Sequence, residues 1–153
     1  MPPETPPPPT ARPRAPERAN RVGAAVLALA CLAVLGIAAW LRPSPDGHGT
    51  HTQLGLAQCQ WVMMFNEPCP TCGMTTSFAY AAHMNFLAGA RTQPFGFVLA
   101  LTTATIFWGA AHVALTGSTL GNQALRLVNG RTLLAVFAML LAAWVYKLAT
   151  WPA

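Results

Sequence analysis

The sequence predicts a small all-α integral membrane protein with three transmembrane helices. A fourth, short helix, amphipathic or re-entrant, follows a Cys-Pro-x-Cys-Gly motif. Three observations carry this. The 153-residue chain is 54% hydrophobic and only 8% charged, against about 25% charged residues in typical soluble domains. Its mean hydropathy is +0.40. Its apolar residues fall into long runs of the length that a bilayer core demands, about 20 residues at 1.5 Å each.

Residues 1–21 are proline-rich, with Pro6 to Pro9 consecutive. Repeated proline removes backbone donors and fixes φ, so this stretch reads as a disordered tail without a core. It also holds Arg12, Arg14, Arg18 and Arg21, four of the nine basic residues, just before the first apolar run. That is a cytoplasmic flank. The remaining 22–153 form the membrane domain. Val22 to Leu41 is an uncharged run long enough to span, and too long for the apolar core of a cleaved signal peptide. Cys31 lies mid-span and reads as a small apolar packing residue.

Residues 42–93 form a long loop with the short helix. Pro43, Pro45, Gly47, Gly49 and Pro68 interrupt regular structure. The apolar stretch from Trp61 to Phe65 is short and suits the membrane interface. Met74 to about Ala90 reads as one helix at the lower limit of spanning length, more polar than the other spans. Pro94 to Thr116 is the second span, opened by a proline at a helix start. Residues 117–131 are a polar loop with Arg126 and Arg131. Residues 132–150 are the third span, with Trp144, Tyr146 and Trp151 at its far interface and Lys147 snorkelling there. The tail and the 117–131 loop together hold six of the nine basic residues. Three spans put both on the cytoplasmic side of a plasma (inner) membrane, and the Cys loop and C-terminus outside.

The chemistry concentrates in Cys69-Pro70-Thr71-Cys72-Gly73, with Cys59 ten residues upstream. One reading is a zinc site. Two thiolates at this spacing grip one tetrahedral ion, Cys59 is the third ligand, and His48 or His51 the fourth. Such a site is structural or engages a membrane protein partner. His83, eleven residues past Cys72 on a continuous helix, would stand about 16 Å away along the axis, too far to share the ion. A second reading is thiol–disulfide exchange, since a helix N-terminus favours the thiolate form of a CxxC pair. A third is a scaffold in which two of the three cysteines merely staple the loop. Thr75 and Thr76, in the first helical turn, either cap it or hydrogen-bond a thiolate or a ligand. His112, near the end of the second span, reads as an interfacial structural residue.

Several function classes drop out. No basic stripe with interleaved aromatics points to nucleic acid. Outside the tail the acidic residues are Asp46 and Glu67, too few for paired-carboxylate catalysis. No nucleophile triad or phosphate-binding glycine loop is present. The partners expected are the bilayer, and a membrane protein or a second copy of the chain.

The run Cys69-Pro70-Thr71-Cys72-Gly73-Met74-Thr75-Thr76, followed by Gln93-Pro94 at a span start, resembles a family of small bacterial membrane proteins catalogued as domain of unknown function 2752. His51-x-Gln53-Leu54-Gly55-Leu56-x-x-Cys59 is similar to one branch of it. The resemblance covers about residues 48–116. It implies a multi-span membrane protein built around the Cys motif, without a particular activity or cofactor. Many members carry Arg directly after the motif's threonine, where this chain has Thr76, so a cation at that point is not implied here.

Overall fold

The structure is a computed structural model and describes residues 15–118 and 129–151. Six α-helices and one 3-10 turn, and no strand, occur among the described residues. Three helices are long and apolar enough to cross a membrane: α1 (Ala15–Trp40), α5 (Pro94–Thr116) and α6 (Gly130–Ala149). Between α1 and α5 lie the 3-10 turn (Thr50–Leu54), α2 (Gln60–Phe65), α3 (Met74–Ala82) and α4 (Phe86–Thr92).

α1 begins at Ala15, so helix extends back through Arg18 and Arg21, which the sequence reading placed in the tail. The rest of the expected tail, residues 1–14, lies outside the described residues, as does 119–128 of the expected polar loop. Small side chains, Ala28, Cys31 and Ala38 on α1 with Ala100 and Ala110 on α5, are buried where these helices pack. Small residues allow the close backbone approach that substitutes for hydrophobic driving force in lipid. Thr102, Thr103 and Thr105 of α5 donate their hydroxyls to carbonyls four residues back. That resolves the presence of three polar side chains in an apolar span.

The helix after the motif is present as α3, but it stops at Ala82 rather than continuing to about Ala90. Met84 adopts φ 60 and Asn85 accepts a hydrogen bond from Ala88 N, starting α4 as a new helix. Asparagine is a strong N-cap that competes with continued helix, and this ends the run. At the break, His83 Nε2 donates to Leu41 O, 3.0 Å away, tying the ends of α3 and α1. Gly89 and Gly96 let α4 and α5 close on α3: a β-carbon on Gly96 would stand 3.2 Å from Met74 Cα.

α6 touches the rest of the chain chiefly through its last turns. Trp144 Nε1 donates to Pro68 O (3.0 Å), Tyr146 OH to Arg91 O (3.1 Å) and Trp151 Nε1 to Asn66 O (3.1 Å). Read from sequence as marks of an interface, these side chains are clamps on the Cys loop. Lys147 does not snorkel outward. It is 7% exposed, and its ammonium donates to Gly47 O and Thr92 O, each at 3.2 Å. The ends of α1 and α6 and the start of α5 therefore meet at the Cys loop. At the opposite end Arg21 donates to Thr116 O. This is the arrangement that three alternating crossings require.

Candidate functional site

The CxxC segment is a tight turn. Cys72 N donates to Cys69 O (2.9 Å) and Met74 N to Thr71 O (3.1 Å). Gly73 follows at φ 84 and serves as N-cap of α3, whose first turn closes through Ser77 N to Gly73 O. A left-handed residue here favours glycine. Space demands it as well: a β-carbon on Gly73 would stand 2.6 Å from Gly47 O.

Buried polar side chains fix this turn and the start of α3 from behind. Gln93, fully buried, accepts from Gly96 N and so caps α5, while its amide donates to Pro70 O at 3.5 Å. The Gln-Pro pair is thus the link between the Cys turn and the second span. Ser77 donates to Gly89 O and to Gln93 O. Thr76 pairs with Thr50 through their hydroxyls at 2.8 Å, and Thr50 in turn accepts from Ser44 N. Thr76 therefore laces α3 to the 3-10 turn, and both Thr75 and Thr76 line the cavity that the thiols share.

The cysteines Cys59, Cys69 and Cys72 come together, and all are free thiols. Cys31 stands apart in α1. The other three line one cavity, and Cys59 and Cys72 lie near enough to Cys69 to influence its ionisation. The three differ in environment. Cys69 is partly exposed, and its Sγ lies 3.4 Å from Thr71 Oγ1. Burial pushes its pKa up, but hydrogen bonds from the Thr71 side chain and backbone, then from Cys59 and Cys72, outweigh this and hold it below the usual thiol range. Cys72 is 6% exposed. Burial first, then the negative charge that Cys69 and Cys59 acquire, pushes it up to about 11, against a weaker pull from Lys147. One partly exposed thiol with a lowered pKa thus adjoins one buried thiol with a raised one.

The expected histidine ligands are near but otherwise engaged. His48 Nδ1 donates to Asp46 O (2.9 Å) and its ring packs on Trp151, centroids 4.8 Å apart. His51 Nε2 donates to Ala57 O (3.1 Å). Each keeps one uncommitted ring nitrogen, and both residues line the same cavity as the cysteines. Among the described residues, no group of three or more His, Cys, Asp or Glu is arranged to hold a metal ion. His112 is exposed in the last turns of α5, far along the span from the motif.

Sequence reasoning missed Thr71, the variable position of the motif, as the thiol's hydrogen-bond partner. It also missed the burial of Lys147. The signal for Thr71 was a hydroxyl inside a CxxC. For Lys147 it was a lone cation one helical turn before the end of an apolar span, which fits snorkelling equally well.

No curated protein and no solved structure matches the chain. Residues 59–107, from Cys59 through the Cys turn, α3 and α4 into α5, match the model of the family described as Protein of unknown function (DUF2752), the one that the Cys-Pro-x-Cys-Gly motif resembles.

Proposed function

We propose that the Cys loop carries out thiol–disulfide exchange at the membrane surface, with Cys69 as the attacking thiol and Cys72 as the resolving one. The observation that carries this is the asymmetry between the two: Cys69 is partly exposed with its pKa held below the usual thiol value, whereas Cys72 is buried with its pKa pushed up. The thiolate is the nucleophile in exchange. In the first step the Cys69 thiolate attacks one sulfur of a partner's disulfide. That S–S bond breaks, a mixed disulfide forms, and the other partner sulfur leaves as a thiolate and takes a proton. Cys72 then gives up its proton and attacks Cys69 Sγ. The Cys69–Cys72 disulfide forms and the partner leaves as a dithiol. The reverse sequence oxidises a partner dithiol. Cys59 lines the same cavity and offers a second route of resolution. On the basic-residue count, the loop faces the outside of a bacterial plasma membrane, where disulfides persist.

A zinc site on Cys59, Cys69 and Cys72 is the second reading: the three thiols line one cavity with His48 and His51, and they would have to draw closer together to hold an ion. It needs a fourth donor, for which His51 or His48 would turn its free ring nitrogen inward.

One experiment separates the two. Protein purified without chelator is equilibrated across mixtures of reduced and oxidised glutathione, then its free thiols are mapped by mass spectrometry and its metal is measured. Exchange predicts a reversible Cys69–Cys72 disulfide. Thiols that stay reduced at every poise, with about one zinc per chain, would replace it with the metal reading.

A further inference from the structure

The thiols open onto a cavity of about 1100 Å³ with both polar and apolar lining. Part of its wall is polar, with Gln53 and Thr75. Another part is the last two turns of α1, from Val34 through Ile37 and Ala38 to Leu41. These positions fall in or at the end of the first membrane-spanning helix. They cover about 10 Å of helix axis. The cavity therefore sets the three cysteines in one space with the polar loop and the apolar end of the first span. Its lip is apolar as well. α2 buries none of its residues, and Met63 on the lip and the adjacent Met64 are 70% and 73% exposed. Such a lip opens toward lipid more readily than toward water.

A cavity of this shape and size fits an amphipathic small molecule with a polar head at the thiols and an apolar tail along α1. A dithiol that cycles to a disulfide gives up two electrons and two protons. Carriers that are lipid-soluble and accept that pair are quinones. We infer that the cavity between α1, α2 and α3 binds a quinone-class electron acceptor, which oxidises the Cys69–Cys72 dithiol. Two S–H bonds are lost and one S–S bond forms. The two electrons and two protons pass to the quinone, which leaves as the quinol. This inference rests on the exchange reading and adds the source of its oxidising power: the disulfide so made is then passed to a partner dithiol.

The test uses the full chain in detergent with all thiols reduced. The probe is a fully substituted benzoquinone with a decyl tail, which cannot add covalently at a ring carbon. Oxidised glutathione serves in parallel as a water-soluble disulfide. The expected result is loss of two thiols per quinol formed. Ile37→Trp, at a half-exposed position on the apolar wall, should slow the quinone reaction by about tenfold or more and leave the glutathione reaction within about twofold. If glutathione oxidises the pair and the quinone does not, the acceptor inference is wrong and exchange stands. If Ile37→Trp alters both rates alike or neither, the cavity is not the quinone's route. If neither reagent forms the Cys69–Cys72 disulfide, the exchange reading and this inference fail together.

Discussion

Gly73 and Gly47 meet so closely that a β-carbon on Gly73 would stand 2.6 Å from the Gly47 carbonyl oxygen, and Gly73 holds φ 84. Both facts act at the residue that turns the Cys motif into α3. Gly73→Ala is expected to cost about 1–3 kcal/mol from the left-handed backbone alone, with the steric contact adding to it. Gly109→Ala, with nothing within 4 Å of the new β-carbon, should be neutral or mildly stabilising by helix propensity. Thermal unfolding in detergent of the two variants checks this: equal midpoints would mean that the turn is not held as described.

Gln93 does two jobs with one amide, and two substitutions divide them. Gln93→Ala removes the α5 cap and the donor to Pro70 O, for an expected loss of about 1–2 kcal/mol. Gln93→Glu keeps an acceptor for Gly96 N but, when ionised, has no N–H for Pro70 and buries an unpaired charge. It should keep the cap yet cost more overall than Gln93→Ala, and raise the rate at which maleimide labels Cys72. If labelling of Cys72 is unchanged in both, the Gln-Pro pair does not brace the Cys turn.

Lys147 anchors α6 by giving its ammonium to two backbone carbonyls. Lys147→Met fits the volume but leaves both acceptors unpaired, at a cost of about 1–3 kcal/mol. Relief of a buried charge offsets part of that cost in the global balance. The expected outcome is a modest fall in melting temperature with a clear local opening, read as faster hydrogen exchange around Gly47 and Thr92. Exchange confined to α6 itself would contradict the clamp.

The thiols give opposite pH signatures. Cys72 keeps its proton up to about 11 in the folded chain, against an ordinary value of 9.0. The folded state thus holds a proton that the unfolded state releases. The stability tied to it is complete below about pH 9 and is lost as pH rises toward 11. Cys69, held below 9.0, contributes stability that is present above that value and lost as pH falls through its folded pKa. A shift of about 2–4 °C in melting temperature accompanies each kcal/mol in a chain of this size. Melting temperature should therefore drop between pH 9 and 11 in wild type and drop less in Cys72→Ala. An identical drop in both would place Cys72 in water.

Much of the architecture was legible because bilayer thickness fixes the length of an apolar run. Pro94–Thr116 stands as read, and α1 and α6 differ from the reading only at their ends. The break at Met84–Asn85 was not legible. An asparagine in a helical pattern signals a cap only when the chain must turn, and the turn is imposed by packing of α4 on α3 and α5. The Cys motif announced itself as chemistry. Its division of labour did not, since it depends on which thiol α3 and the loop bury. Lys147 was misread for the same reason: snorkelling and burial share one sequence pattern, and the carbonyls of Gly47 and Thr92 decide between them.

The central claim is that Cys69 attacks and Cys72 resolves. It is tested most directly by adding a stoichiometric aromatic disulfide that releases a coloured thiolate to the reduced protein with Cys31 and Cys59 replaced by serine. The account predicts a fast release of one equivalent as Cys69 is modified, then a second as Cys72 closes the disulfide. With Cys72→Ser added, release stops at one equivalent and the adduct maps to Cys69. First modification at Cys72, or no second release from the intact pair, would contradict it.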